Sequence, residues 1–375
     1  MLIPPDRFEM SVTYQRKISV EFRDIFEHIT SNHLGKRLVF IDPMVLGNQD
    51  SFLSEETCGR NIILIPTNLT EANKDLESLT AILELLQYYG VGRRGDTVYA
   101  VGGGVLIDCV AFACSVYRRG IAMVKVPSTL LGIVDAAIGI KTGVNFRGQR
   151  NRIGSYHFDY NVIISPKLME GLQSVHLRQG LGELFKIAII KSRCLFDLLE
   201  QNRSSLENVG FYSTSIGLKT LKLGIELMLD ELRDNPREDN LKRCVDFGHS
   251  FSPLVEMESI RRDTSRSIPH GFAVAFDCLL STTIAFRRGL MPEPDYLAAF
   301  NLFMCFDFDL CNEIYNDYNL LWCSFLEMTR HRGGAQNLPV PTGIGQHCFI
   351  QNLSFDEMRD SLVDLQYRIT QCVTS

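Results

Sequence analysis

The chain lacks several things, and each absence narrows what it can be. No stretch stays apolar for the about twenty residues that a bilayer crossing needs. The opening MLIPPDRFEM has no apolar core of the kind a secretion signal carries. Positive charge is not in excess: 38 Lys and Arg face 44 Asp and Glu, a net charge of −6. That balance argues against a nucleic-acid surface and leaves room for a local basic pocket. The 11 cysteines are odd in number and none form a CxxC pair, so neither a thiolate metal ribbon nor a disulfide framework is expected. Several stand among apolar neighbours (Cys109, Cys114, Cys278, Cys305), which fits reduced thiols in a cytoplasmic protein. Internal repeats and low-complexity segments are absent. So is GxGxxG, which excludes the ordinary dinucleotide fingerprint.

What is present is a globular composition, 45% hydrophobic and 22% charged over 375 residues, enough for two domains of ordinary size. The first half alternates strand-like and helix-like patterns. LVFID (Leu38 to Asp42), IILIP (Ile62 to Pro66), TVYAV (Thr97 to Val101) and AMVKV (Ala122 to Val126) read as short buried strands. Leu76, Leu79, Leu83 and Leu86 recur at helical spacing before Gly90, and a second helix runs from the Gly102-Gly103-Gly104 turn to about Tyr117. The segment Met10 to Val20 could add a strand or hairpin at one edge. Such alternation predicts a largely parallel sheet with helices on both faces. After about Ser165 long periodic stretches take over: Leu177 to Gln201, Ser215 to Arg233, His270 to Arg288 and Asp356 to Val373. The expected fold is an α/β N-terminal domain over 1–168 and a mainly α-helical C-terminal domain over 169–375, with a cleft between them.

The densest chemistry lies in Lys125 to Gly154, KVPSTLLGIVDAAIGIKTGVNFRGQRNRIG. Asp135, Lys141, Asn145, Arg150, Asn151 and Arg152 crowd into a glycine-punctuated run directly after a strand. A solvated loop would explain the charges, but the interleaved Leu130, Ile133, Ile138 and Ile140 predict partial burial. A segment that wraps an anionic, polyhydroxylated small molecule accounts for both. The triple-glycine turn, between a strand and a helix, can present backbone N–H groups to a pyrophosphate. Glycines also serve tight turns, so this signal alone is moderate.

PSTLLGIVDAAIGIKTGVN followed by RNRIG resembles the signature of the sugar phosphate cyclases, the family of dehydroquinate synthase, from about Asp42 to Gly345. Its features are most similar to the 2-epi-5-epi-valiolone synthase branch. The resemblance implies an NAD-binding first domain, with Asp42, Glu71, Lys74, Gly103, Gly104, Val105, Asp108, Ser128, Thr129 and Arg150 on the cofactor side. It also implies that Glu183 in GLGELFK, His249 in DFGHSFSP and His270 in PHGFAV hold a divalent metal, zinc or alternatively cobalt. A Glu-His-His set leaves a position open for substrate oxygens, but these ligands are too scattered for spacing to find them. Glu183 and Lys186 share one helix face, which on spacing alone reads as an ion pair; the resemblance places Lys186 beside the substrate. Asp135, Lys141, Asn151, Arg119, Glu238, Lys242, Asp246 and His331 complete the implied substrate and catalytic set, with charge suited to a sugar phosphate.

Pro253 stands where dehydroquinate synthases carry the second His of GHxxGH. Asp246, Leu181 and His331 match the valiolone branch over the dehydroquinate and desmethyl-4-deoxygadusol branches. The implied reaction is cyclisation of sedoheptulose 7-phosphate with loss of phosphate, through transient oxidation by NAD, elimination, re-reduction and an intramolecular aldol. A homodimer is the implied assembly. Phe272 stands where Glu is common, Gly182 where Ala is usual, Arg150 where Lys normally precedes the Asn, and Gly333 where Asp is common. Two other classes remain open: a metal-dependent polyol dehydrogenase, which would also pair NAD with a metal but would release NADH, and a catalytically degenerate binding protein, to which Phe272, Gly333 and Arg150 point.

Overall fold

The computed structural model describes residues 18–30, 35–48, 61–158, 160–262 and 267–374. Its first half runs β1 (Ile18–Phe22), α1 (Ile25–Thr30), β2 (Arg37–Ile41), α2 (Pro43–Asn48), β3 (Ile62–Pro66), α3 (Leu76–Tyr88), β4 (Thr97–Gly102), α4 (Gly104–Val116), β5 (Met123–Pro127), β6 (Lys141–Phe146), β7 (Gln149–Tyr156) and β8 (Tyr160–Ile164). Six of these strands form one sheet, ordered β1-β8-β5-β4-β2-β3, and every pairing in it is parallel. The unbroken apolar runs are the mark of strands covered on both faces. Side chains alternate accordingly. Leu38, Phe40, Val98 and Ala100 pack toward α3 and α4, whereas Val39, Ile41, Tyr99 and Val101 pack with Ile25, Ile29 and Val45. Of the segment Met10 to Val20, only the residues from Ile18 onward are described; they form β1 at the sheet edge, and the rest lies outside the described residues.

The polar run after β5 is more ordered than a loop. A π-helical turn covers Gly132–Ala136, and β6 and β7 form a separate antiparallel hairpin. Gly143 faces Gly154 across it, and a Cβ on Gly154 would come within 2.2 Å of the Thr142 carbonyl oxygen. Burial in β6 does not alternate, since Thr142, Gly143 and Val144 are buried in succession, so the period-two pattern that reveals a strand is faint in its sequence.

The second half contains α5 (Ser174–Lys191), α6 (Arg193–Gln201), α7 (Ser215–Asp234), α8 (Ser252–Arg262), α9 (His270–Arg287), α10 (Glu293–Met304), α11 (Tyr318–His331) and α12 (Phe355–Thr374). The periodic stretch 177–201 is two helices. Ser192 leaves the helical region (φ −151°, ψ 104°), and its hydroxyl accepts from Leu195 N at 3.2 Å to start α6. The C-terminal part is mainly helical as expected, with one small antiparallel pair besides, β9 (Leu338–Gly343) and β10 (Gln346–Ile350); Pro339 and Pro341 disguise β9. Residues 271–285 of α9 are buried on every side, which makes it the central helix. Where α5 crosses it, a Cβ on Gly182 would lie 2.2 Å from the Gly271 carbonyl oxygen, so the two backbones touch. Among the described residues no helix is long and apolar enough to cross a membrane. Cys109, Cys114 and Cys278 are buried as expected, but Cys305 is exposed.

Candidate active site and metal centre

The C-terminal ends of the parallel strands face one edge, where ligands of open α/β sheets bind. Asp42 follows β2 there and caps α2, its Oδ1 accepting from Met44 N at 2.8 Å. Gly103 is the N-cap of α4, and Val105 lies in its first turn. Ser128 and Thr129 follow β5; Ser128 N donates to the Gly102 carbonyl at 2.9 Å, and Thr129 Oγ1 accepts from Gly132 N at 3.0 Å. Buried Lys74 donates to Asp108 Oδ2 at 2.6 Å and to Asn151 Oδ1 at 2.7 Å. The segment after β3, α4 and the hairpin are thereby joined.

α5 and α9 carry Glu183, Lys186 and His270, and the turn before α8 carries His249. Ligand atoms of Glu183, His249 and His270 all lie within 4.8 Å of one another. Glu183 Oε1 is 3.4 Å from His249 Nε2 and 3.3 Å from His270 Nε2, and it is fully buried with no hydrogen-bond donor within bonding geometry among the described residues. Such an oxygen, facing two imidazole nitrogens, fits a cation better than it fits an empty interior. Glu256 takes His270 Nδ1 at 3.0 Å through both oxygens, which leaves Nε2 free for a metal. Lys186 Nζ sits 2.6 Å from the other Glu183 oxygen. Burial alone would raise the Glu183 carboxyl, but Lys186, His249 and His270 outweigh it and hold it well below the usual range. Burial, then Lys186, keeps His249 neutral. Burial would lower His270 too, yet Glu256 and Glu183 carry it up to about 10. A metal at this point would displace that proton. Asp135 belongs to the same electrostatic group, pushed up by burial and by Glu183.

Arg150 stands between the two halves. Its Nε is 3.3 Å from Glu71 Oε1, and its NH1 contacts Glu256 and lies 3.2 Å from His270 Nδ1. Burial would raise Glu71, but Arg150 and Lys74 hold it below its ordinary value. Arg150 therefore lies as close to His270 of the cluster as to Glu71, which was expected on the cofactor side. Lys141 pairs with Glu238 at 2.5 Å, and Arg243 joins Glu238 to Asp246. Lys242 is exposed beside this group.

Two predicted residues stand apart. Arg119 is exposed at the opposite end of α4 from the glycine turn, and no hydrogen bond or ion pair among the described residues joins it to the others. His331 is exposed at the end of α11, while its neighbour Arg332 is buried against Asp246. Sequence reasoning passed over Arg332 and Glu256. Glu256 does carry a signal: it falls on the buried stripe of α8 with Ser252, Val255 and Ser259. The departures have local causes. Phe272 is buried edge-on to Phe308 with the Arg178 guanidinium over its ring. Gly333 has φ +80°, which an Asp would strain.

A family profile described as 3-dehydroquinate synthase N-terminal matches residues 64–179, and one described as 3-dehydroquinate synthase C-terminal matches 180–321. A 2-epi-5-epi-valiolone synthase of Streptomyces hygroscopicus subsp. jinggangensis is 35% identical over 89% of this chain and 81% of its own. A demethyl-4-deoxygadusol synthase of Trichormus variabilis is 30% identical over 82% and 75%. The solved structure of the Streptomyces hygroscopicus valiolone synthase, with NAD+ and Zn2+ bound, superposes with a TM-score of 0.87 at 33% identity over 96% of this chain and 99% of that one.

Proposed function

The chain belongs to the dehydroquinate synthase-like sugar phosphate cyclases, and from that premise we propose that it converts sedoheptulose 7-phosphate to 2-epi-5-epi-valiolone with loss of phosphate. The observation that carries the reading is the Glu183, His249 and His270 cluster with Lys186 at 2.6 Å, set beside a basic hairpin.

Glu183, His249 and His270 would hold zinc, which when bound supplies a Lewis acid that acidifies a substrate hydroxyl. Gly103, Gly104 and Asp108 would hold NAD+, which supplies a reversible hydride acceptor and is regenerated in each turnover. The residues of the chain bind and orient. The Lys186 ammonium, buried against Glu183, offers N–H donors to an oxygen that gains negative charge beside the cluster. Lys141, half exposed on the hairpin, and Lys242 supply positive charge for the phosphate. Asp135, partly buried beside Glu183 and Lys186, can accept or return a proton. The phosphate itself is a second proton acceptor. We read residues 1–168 and 169–375 as the two domains, and the protein as a reduced, cytoplasmic homodimer.

The test combines purified protein with sedoheptulose 7-phosphate, Zn2+ and NAD+ in less than stoichiometric amount. Phosphate should be released over many turnovers, the carbocycle identified by NMR should be 2-epi-5-epi-valiolone, and absorbance at the NADH band should stay flat. Accumulating NADH would favour the polyol dehydrogenase reading instead.

A further inference from the structure

We propose that Arg332 is a positioning residue for the metal ligand His249 and for Asp246. Its guanidinium, in a side chain only 8% exposed, makes three directed contacts. Nε is 3.0 Å from Asp246 Oδ2, NH1 donates to Ser250 Oγ at 3.2 Å, and NH2 donates to the His249 carbonyl oxygen at 3.0 Å. Lys could not replace it, because a single ammonium cannot spread over three acceptors in this fork geometry. Gly333 and Gly334, at φ +80° and +83°, end α11 directly after it and turn the chain back into β9.

The same turn is held from its other side. Asp277 of α9 accepts from Ser250 N, Phe251 N and Ser252 N at 2.7, 2.5 and 2.9 Å. Asp277 grips the amides after His249; Arg332 grips the carbonyl of His249 itself. Asp246 is likewise held at both oxygens, by Arg332 at Oδ2 and by Arg243 at Oδ1, 3.2 Å away. Arg243 also contacts Glu238, which pairs with Lys141. Charges of alternating sign therefore run from the hairpin to the backbone of a metal ligand. Asp246 acts through this chain, with its carboxylate already engaged, and is not a free base above the substrate. Only the turnover consequence rests on the proposed reaction; the metal consequence does not.

The test uses full-length protein with Zn2+ and the variants Arg332→Ala, Arg332→Lys and Asp246→Asn. Zinc affinity is read by competition with a chelating dye, and NAD+ affinity and thermal melting are read alongside. Arg332→Ala should weaken zinc about 10-fold or more, as loss of a residue that orients a ligand does, and should leave NAD+ affinity measured without Zn2+ unchanged. Ethylguanidinium should restore zinc affinity and turnover, while ethylammonium at equal ionic strength should not. Arg332→Lys should behave like the Ala variant while melting near the unmodified protein, which separates positioning from folding. Asp246→Asn, which opens no cavity, should weaken zinc less, and its effect should not add to that of Arg332→Ala. Unchanged zinc affinity in Arg332→Lys, or equal rescue by ethylammonium, overturns the assignment. If the unmodified protein releases no phosphate, the reaction reading fails while the zinc measurements still decide the role of Arg332.

Discussion

Gly182 governs how near Glu183 and His270, two of the proposed metal ligands, come. It precedes Glu183 as Gly271 follows His270, and a Cβ on Gly182 would meet the Gly271 carbonyl oxygen at 2.2 Å. A methyl group here cannot be absorbed by a side-chain swing, because the obstacle is backbone. Gly182→Ala should push α5 from α9, cost about 1–3 kcal/mol as overpacking does, and weaken zinc binding while leaving NAD+ affinity measured without Zn2+ intact. Chelator competition and denaturant melts check both halves. His270→Ala should abolish zinc retention and turnover, with NAD+ affinity equal to that of the zinc-free unmodified protein; full zinc occupancy in that variant would remove His270 from the ligand set. The ligand triad is legible in the sequence only through the family resemblance, since Glu183, His249 and His270 are separated by 66 and 21 residues. Arg332 was hidden for a related reason. One residue decides whether a side chain at a helix end turns outward, like His331, or inward, and that choice is made by the glycines after it and by tertiary contacts.

At the scale of elements, Lys125 ties the π-helical turn to the sheet. It lies fully buried in β5, with Nζ 2.7 Å from the Gly139 carbonyl and 3.2 Å from that of Ala136, and 3.9 Å from the Tyr160 ring centroid. Burial pushes its ammonium down to about 7, against the pull of Asp108 and Asp135. The unfolded chain therefore holds a proton on this residue over a range, from about 7 to its ordinary value near 10.5, in which the folded chain has released it. Stability contributed here rises with pH across that window, by a few kcal/mol at most. Melting temperature plotted against pH should climb more steeply above neutrality for the unmodified protein than for Lys125→Met. Parallel curves would show that the two carbonyls and the ring hold the charge despite burial. The parallel strands were legible because burial on both faces writes a continuous apolar run. The β6–β7 hairpin was not, since its glycines and charges read as loop, and neither was β9 with its two prolines.

Across the whole molecule, Arg150 links the two halves through Glu71 and Glu256, the latter bound to His270. A lysine, usual at this place in the family pattern, has one charged tip and cannot hold both carboxylates as a planar fork does. Coupling between the two ligands is the measurable result: the ratio of NAD+ affinities with and without Zn2+ should shrink toward one in Arg150→Lys. An unchanged ratio would assign the coupling elsewhere. Such a link between distant segments leaves no trace in local sequence pattern.

The hairpin carries a constraint on inheritance. Gly143 opposite Gly154 fixes one register up to Val144, and beyond it the ladder is irregular, with Asn145 alone standing across from Arg150, Asn151 and Arg152 before Phe146 meets Gln149. Losing or gaining a single residue along either strand would turn Lys141, Asn145, Arg150 and Asn151 to the opposite face at one stroke. Length changes in this ribbon can therefore survive only in pairs or at the tip, Arg147 and Gly148. Lineages that kept the chemistry should differ there in steps of two, whatever else in the chain has drifted.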